Sequence, residues 1–399
     1  MSRRSVWNWF GGRPRERFSL EELEHLVGVL EKNPVIGPGN REAIVETLRS
    51  IAELMIWGDQ HEPRFFEYFL EHEALAHFHK ILRGRDNRRG DVAKQVLQTL
   101  SIMIQNLRNE TSVYYIFSNN HINDIVQLAF DFNDEEVLGY YISFLKTISL
   151  KLNVKTVQFF FKQDGGACSF PLYTEAAKFI NHREGMVRAA VRTLTLNVFN
   201  VQDPLIQDFV VAKPASNYFT ELALYATEQC QVLDLMLSAA EKGKNSSIGA
   251  LDSQLAEIED TLSYFNDILS TGSEKMGVEL SRALWEYFVG PVLLWPLLDI
   301  PIQSALTNRP SEGANVKRSG AVRPVCSLYV VERLFHLVDN PIVVNAAACC
   351  LFAGSQGLCT ACQKAVGEHL VPTAPNMDDW QGEEDVQRVV SEKQTSSSG

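Results

Sequence analysis

The stretch DVAKQVLQTLSIMIQNL, residues 91–107, predicts an amphipathic helix and shows the pattern that the first half of the chain repeats. Its apolar residues return every three or four positions, which places them on one face of a helix. That face consists of Val96, Leu97, Leu100, Ile104 and Leu107. The same spacing recurs in residues 42–57, 135–152 and 186–201. The sequence therefore predicts four helices that each bury one face.

A second apolar segment, in most cases rich in aromatic residues, follows each predicted helix. These segments are residues 65–69, 113–117, 157–161 and 205–211. The units are in register, because Leu48 corresponds to Leu97 and Val113 to Val157, at offsets of 49 and 44 residues. Helical units of about 40–47 residues are typical of armadillo and HEAT solenoids. We therefore predict an all-α fold, an armadillo/HEAT-like helical solenoid with a helical C-terminal half and a disordered tail.

Breaker residues and composition predict four regions along the 399 residues. They are a flexible basic and aromatic segment at 1–18, an armadillo-like region at 19–212, a helical region at 213–371 with a loop near 307–323, and a disordered acidic tail at 372–399. Ser19 and Glu22 have the spacing of a capping box, which predicts that the first helix begins there.

The overall composition argues against several classes of protein. The net charge of −12 opposes general nucleic-acid binding, which needs a basic surface. Seven cysteines in so long a chain do not indicate a disulfide framework, so we expect a reducing, cytosolic environment. The most apolar stretch, residues 287–298, contains two prolines and is far shorter than the roughly 20 residues of a membrane span. Membrane association is therefore expected to be peripheral or through a partner.

The residues that could carry chemistry favour structural roles. His72, His77 and His79 lack the four-residue spacing that turns two histidines toward one ion. Cys359 and Cys362 form a single CxxC pair, whereas a structural zinc site needs four ligands. No GxSxG elbow or phosphate-binding GxxxxGK[ST] loop is present. We predict no catalytic, cofactor or metal site, and we predict that the protein is not an enzyme.

The N-terminal segment mixes cations with aromatic residues, a composition that suits an anionic membrane surface. Its candidate membrane contacts are Arg3, Arg4, Trp7, Trp9, Phe10 and Arg13. Each basic residue near such a surface contributes about 1 kcal/mol. The alternative is a solvated segment whose tryptophans pack against the first helix.

The segment FPLYTEA, residues 170–176, continues into the fourth predicted helix. Pro171 suits the first turn of a helix, where its missing N–H is not needed. Phe170, Leu172 and Tyr173 share an apolar face and are expected to seat this helix on its neighbour. The candidate partner contacts are Glu175, Lys178, Asn181, His182 and Arg183, with Arg188 and Arg192 on one face of the next helix.

These motifs resemble the FPL-domain family, named after the Phe-Pro-Leu triplet. Further matching stretches are ETLRSIAELMIWGDQ at 46–60, ETSVYYIFSNN at 110–120 and PVCSLYVVERLF at 324–335. The resemblance covers roughly residues 19–355, with the FPL domain at about 45–200.

The resemblance implies a role in membrane traffic. Family members act in endosome-to-lysosome or vacuole transport, autophagosome maturation and mitophagy, as peripheral proteins of endosomal, lysosomal or Golgi membranes. It implies tethering-complex subunits or other trafficking proteins as partners and, in animals, a RING-type ubiquitin ligase. We therefore expect a trafficking adaptor on the cytosolic face of these membranes. The alternatives are a scaffold of a RING-type ligase and a direct binder of anionic membranes through residues 1–18.

Overall fold

A computed structural model describes residues 16, 18–243, 248–298 and 322–352. Nearly all of the regular structure in these residues is helical, so the predicted all-α fold is confirmed. Backbone contacts divide the chain into two compact units, Met1–Ile206 and Gln207–Gly399. Most of the predicted N-terminal segment (residues 1–15 and 17), the loop 307–321 and the tail 372–399 lie outside the described residues.

The first unit is a succession of helices, most of them joined by short turns. They are α1 Leu20–Lys32, α2 Arg41–His61, α3 Arg64–Glu71, α4 Ala74–Arg83, α5 Gly90–Asn106, α6 Glu110–Ser118, α7 His121–Val126, α8 Glu135–Ser149, α9 Pro171–Ala177 and α10 Gly185–Phe199. Short 3-10 turns lie at Arg85–Arg88 and Val157–Phe159, and α11, Pro204–Val211, follows α10 in sequence. The third aromatic segment is therefore a 3-10 turn, whereas its counterparts are α-helices.

Helices α1, α2, α5, α8 and α10 pack in that order, each against the next. The last four are the predicted amphipathic helices, with ends that differ by a few residues from the prediction. Leu48, Leu97, Leu145 and Leu194, one from each of these four helices, are at most 1% exposed. Burying a leucine side chain contributes about 1.5–3 kcal/mol, so this row of apolar faces holds the stack together.

Hydrogen bonds between successive helical repeats of the first unit confirm the predicted register. The carboxylate Oδ2 of Asp59 accepts a hydrogen bond of 2.8 Å from the backbone N–H of Arg108, 49 residues later. The side-chain amide of Asn197 donates to Ser149 Oγ at 3.0 Å, across 48 residues. Equivalent positions of neighbouring units therefore contact each other, as expected of a solenoid.

Side-chain caps fix where two of these helices begin. Ser19 Oγ accepts from the N–H of Glu22 at 3.2 Å, so the predicted cap of α1 is present. Asp134 caps α8 by accepting from the N–H of Val137 at 3.3 Å, and it also lies 3.4 Å from Lys94 Nζ. Burial alone would raise the pKa of Asp134, but the hydrogen bonds and the Lys94 charge outweigh it and lower the pKa.

A small hairpin that the sequence pattern did not predict leads into α9. Strand β1, Lys162–Asp164, pairs antiparallel with β2, Ala167–Ser169. The turn requires positive φ at Gly165 and Gly166, 55° and 93°, which glycine adopts without a steric cost. The residues of both strands are exposed on both faces, so they lack the alternation that reveals a strand.

The second unit is also helical. Its elements are α12 Asn217–Glu241, α13 Ile248–Leu269, α14 Glu274–Leu284, a π-helix at Trp285–Leu294, α15 Pro324–Leu337 and α16 Pro341–Phe352. Pro291 lies inside the π-helix and has no N–H to contribute to its backbone hydrogen bonds. The Thr227 hydroxyl donates a hydrogen bond of 2.7 Å to the backbone oxygen of Tyr287 in the same helix. Among the described residues, no helix combines the length and apolarity that a membrane span requires.

Candidate functional site

The Phe-Pro-Leu triplet lies in the core of the first unit. Phe170 and Leu172 are 0% exposed and Tyr173 is 1% exposed. The ring of Phe170 meets that of Phe161 edge to face, with centroids 6.0 Å apart. Pro171 is the first residue of α9, as predicted. The triplet therefore seats α9 in the stack and offers little surface to a partner.

The polar side chains beside the triplet are exposed or half-buried. The predicted contact residues on this side are Glu175, Lys178, Asn181, His182 and Arg183. Lys178 Nζ lies 2.5 Å from Glu175 Oε2, and the Lys178 side chain is 60% exposed. Arg183 is 71% exposed and forms an ion pair with Glu135 at the start of α8. Exposed ion pairs of this kind contribute about 0–1 kcal/mol, so both cations can exchange their carboxylates for those of a partner.

Met186, near the start of α10, extends this surface. Met186 is 88% exposed and lies three residues after the exposed Arg183. The sequence pattern alone did not reveal the exposure of Met186, because it does not give the exact rotational phase of α10. Val187, Val191, Leu194 and Val198 are buried apolar positions of α10, and their spacing leaves Met186 outside the apolar face. We call the exposed side chains of residues 175–186 the FPL surface.

Arg188 and Arg192 correct the prediction that both are exposed partner contacts. Each is only 9% exposed. Arg188 Nη1 donates to the backbone oxygens of His182 and Arg183 at 2.8 and 2.9 Å. The two arginines flank the buried stripe of α10, so their guanidinium groups turn inward and Arg188 braces the loop before the helix.

The predicted histidine group does not gather around one point. His72 stacks on Tyr68, with centroids 4.1 Å apart, whereas His77 Nε2 lies 3.8 Å from Glu31 Oε1. Burial lowers the pKa of both His77 and His79, and neighbouring carboxylates only partly offset it.

His79 instead meets two residues of α7. Its Nδ1 lies 3.7 Å from Asp124 Oδ2, and its ring centroid is 5.7 Å from that of His121. Among the described residues, this trio is the group whose ligand atoms are close enough to hold a metal ion. Sequence reasoning missed it because His79 and His121 are 42 residues apart and come together only when α4 packs on α7.

A pocket of about 220 Å³ opens where α5 and α8 end. Lys151 lines it and donates a hydrogen bond of 2.9 Å to the backbone oxygen of Leu107. Leu150, also in its lining, is 55% exposed, and Arg108 and Glu110 add one charge of each sign. The pocket could accept an apolar side chain flanked by polar groups.

The cysteines of the second unit that the structure describes are buried. Cys326 Sγ is 3.9 Å from the backbone oxygen of Cys230. Burial raises the pKa of the Cys326 thiol to about 11 and that of Cys230 further, so both stay protonated and unreactive at neutral pH. Cys359 and Cys362 lie outside the described residues.

Comparison with known proteins identifies the family. The family model FPL, described as an uncharacterised conserved protein, matches residues 48–199. The chain is 38% identical to Protein CLEC16A homolog of Drosophila melanogaster over 366 residues and 40% identical to Protein TRANSPARENT TESTA 9 of Arabidopsis thaliana over 342 residues. It is 39% identical to Protein CLEC16A of Homo sapiens over 347 residues. This chain is a member of the FPL-domain family.

These matches cover most of this chain but a minor part of each relative. They span 88%, 85% and 86% of the chain, but only 34%, 39% and 31% of the fly, plant and human proteins. The chain therefore covers roughly a third of the length of the curated relatives it matches.

The FPL match contains the candidate functional features of the first unit. The core triplet, the buried arginines of α10, Met186, the His79 trio and the pocket all lie within residues 48–199. The candidate membrane contacts Arg3, Arg4, Trp7, Trp9, Phe10 and Arg13 lie outside both the match and the described residues. Their contact with a membrane stays a prediction.

Proposed function

We propose that this FPL-domain protein is a peripheral adaptor in endosome-to-lysosome or vacuole transport and in autophagy, including autophagosome maturation and mitophagy. It would act on the cytosolic face of late endosomal, lysosomal or Golgi membranes by binding tethering or other trafficking proteins. The trafficking context rests on membership of the FPL-domain family. The binding role rests on the FPL surface, and in particular on the 88% exposure of Met186 beside the exposed Arg183.

The chemistry of the FPL surface suits a protein partner. Methionine is flexible and polarizable, so it adapts to partner surfaces of different shape. Arginine is enriched at the energetic centres of protein interfaces, where it combines hydrogen bonding with packing. Arg183 can exchange Glu135 for a carboxylate of a partner, and the first turn of α10 sets the backbone position of Met186 while its side chain stays exposed.

The buried triplet supports the same proposal because it holds the FPL surface in a fixed position. Phe170, Leu172 and Tyr173 anchor α9 in the stack, so the residues that follow are presented from a fixed position. A partner that binds a pre-positioned surface does not have to order it, which lowers the cost of association. The proposal assigns the chain no catalytic residue and no cofactor.

Affinity purification from cells tests the proposal with two matched double variants. Arg183→Glu with Met186→Asp alters the FPL surface. Arg64→Glu with Val35→Asp introduces the same two residues at sites 66% and 77% exposed in the first unit. We expect the first pair to lose trafficking, tethering or autophagy proteins that the wild type and the control pair retain. Equal recovery of these proteins with all three chains would contradict a role of the FPL surface.

The same purification separates the ubiquitin-ligase alternative. Recovery of a RING-type ligase in place of tethering or trafficking proteins would support a scaffold of the ubiquitin pathway. The membrane alternative needs a different assay, since it depends on the arginines and tryptophans of residues 2–17. Liposomes with anionic lipid should float the wild type but not a chain lacking these residues, and unchanged flotation would exclude direct contact through this segment.

A further inference from the structure

The His79 trio has the composition of a metal site. Its three members each offer one ligand atom, and all three atoms lie within 4.8 Å of one another. His79 lies on α4, whereas His121 and Asp124 lie three residues apart on one face of α7. Two helices that are separate in sequence thus supply the ligands.

One ring nitrogen of His121 is available as a ligand atom. Its Nδ1 atom is buried and has no hydrogen-bond partner among the described residues. A buried nitrogen without a partner destabilises the folded state, and such groups are rare in folded proteins. A bound ion would give Nδ1 of His121 a polar partner that the described protein groups do not provide.

The distances in the trio suit a divalent transition-metal ion after a small adjustment. Zinc binds imidazole nitrogen at about 2.0–2.1 Å and carboxylate oxygen at about 2.0–2.2 Å, so its tetrahedral ligands lie about 3.3 Å apart. The 3.7 Å between His79 Nδ1 and Asp124 Oδ2 is close to this value. The Asp124 side chain is 43% exposed, so it can rotate and an ion can enter from solvent.

The ligand types decide which ion the site favours. Imidazole nitrogens favour Zn²⁺ and other transition metals over Mg²⁺ and Ca²⁺, which prefer sets of oxygen ligands. One carboxylate and two neutral imidazoles leave the site with a net charge of +1 when a divalent ion is bound. The exposed Arg83 lies near enough to lower the pKa of His79, so its positive charge opposes the ion. Solvent screens that charge because the Arg83 side chain is exposed.

We propose that His79, His121 and Asp124 bind a divalent transition-metal ion, with Zn²⁺ as the representative. The ion links α4 to α7 within the first unit and leaves its fourth position to water or to a group of a bound molecule. This site is separate from the FPL surface, so it does not depend on the proposed adaptor function.

Zinc titration of the purified full-length chain tests the site. Every chain in the comparison carries Cys359→Ser and Cys362→Ser, so that these thiolates do not contribute to binding. We expect one Zn²⁺ per chain, with an affinity that falls by about tenfold or more in His79→Gln, His121→Gln and Asp124→Asn. His72→Gln is the matched control and should bind like the parent, because His72 stacks on Tyr68 away from the trio.

Thermal unfolding supplies a second readout. An ion that binds only the folded state raises its thermal midpoint, so Zn²⁺ should raise the midpoint of the parent and of His72→Gln but not that of the three ligand variants. Asp124→Asn has nearly the same shape as the parent residue and keeps the test valid if a histidine variant fails to fold. Equal Zn²⁺ affinity in the parent and in Asp124→Asn, absence of stoichiometric binding, or equal affinity for Mg²⁺ would overturn the proposal.

Discussion

Replacing Phe170 by alanine tests whether the family's signature triplet is a core element. The Phe170 ring is 0% exposed and contacts the rings of Phe161 and Tyr173. The backbone oxygen of Phe170 accepts hydrogen bonds from the N–H groups of Tyr173 and Thr174, at 3.1 and 3.0 Å. These two bonds survive the substitution, so its effect reports on the side chain alone.

The expected cost follows from the burial of the ring. Phe170→Ala removes a fully buried ring and leaves a cavity, which lowers the free energy of unfolding by about 3–5 kcal/mol. That is a large share of the roughly 5–15 kcal/mol that stabilises a typical domain. Phe170→Leu removes fewer atoms and should cost on the order of 1–2 kcal/mol, so it remains measurable if the alanine variant does not fold.

Urea unfolding followed by circular dichroism measures the change, and hydrogen exchange of the α9 and α10 amides locates it. The unfolding midpoint should fall at a nearly unchanged slope m, while amide protection in α9 and α10 should decrease. Met186→Ala is the control, because an exposed side chain should change the free energy by less than about 0.5 kcal/mol. A cost below about 1 kcal/mol for Phe170→Ala in a folded protein would refute the core assignment.

Further substitutions test other contacts by the same urea unfolding. Asp134→Ala should cost about 1 kcal/mol at neutral pH through loss of the α8 cap. Because folding lowers the pKa of Asp134, this stabilisation is fully present above about pH 4 and should be lost as the pH falls through the lowered pKa. If wild type and Asp134→Ala still differ by the same free energy of unfolding in acid, the cap is contradicted. Gly58→Ala places Cβ 2.5 Å from Phe65 Cβ and should cost about 1–3 kcal/mol. Gly28→Ala meets no atom within 4 Å and should stabilise α1 by about 0.5–1 kcal/mol. Equal effects of the two substitutions on the free energy of unfolding would be inconsistent with this packing. Arg188→Ala should cost about 1–3 kcal/mol by removing donors from two loop carbonyls, and a neutral result would show that this brace is dispensable.

The sequence was enough to predict the buried triplet, but not which side chains of α10 are exposed, because that depends on the rotational phase of the helix. The spacing of Phe170, Leu172 and Tyr173 was enough to predict their burial, because all three share a short apolar run. Arg188, predicted as a partner contact, is buried instead, since residues at the edge of an apolar stripe turn inward or outward according to the neighbouring loop. Backbone carbonyls before α10 accept from this arginine, and no pattern in the sequence shows where those carbonyls point.

The sequence by itself determined the all-α fold, the period of the helical units and the family. Those properties depend on the local spacing of apolar residues, which the chain carries whatever its surroundings. Only the tertiary structure decided that Met186 is exposed, that Arg188 is buried and that His79 meets His121 and Asp124. Each of these results depends on how one helix lies against another, since side chains distant in sequence become neighbours only when the helices stack.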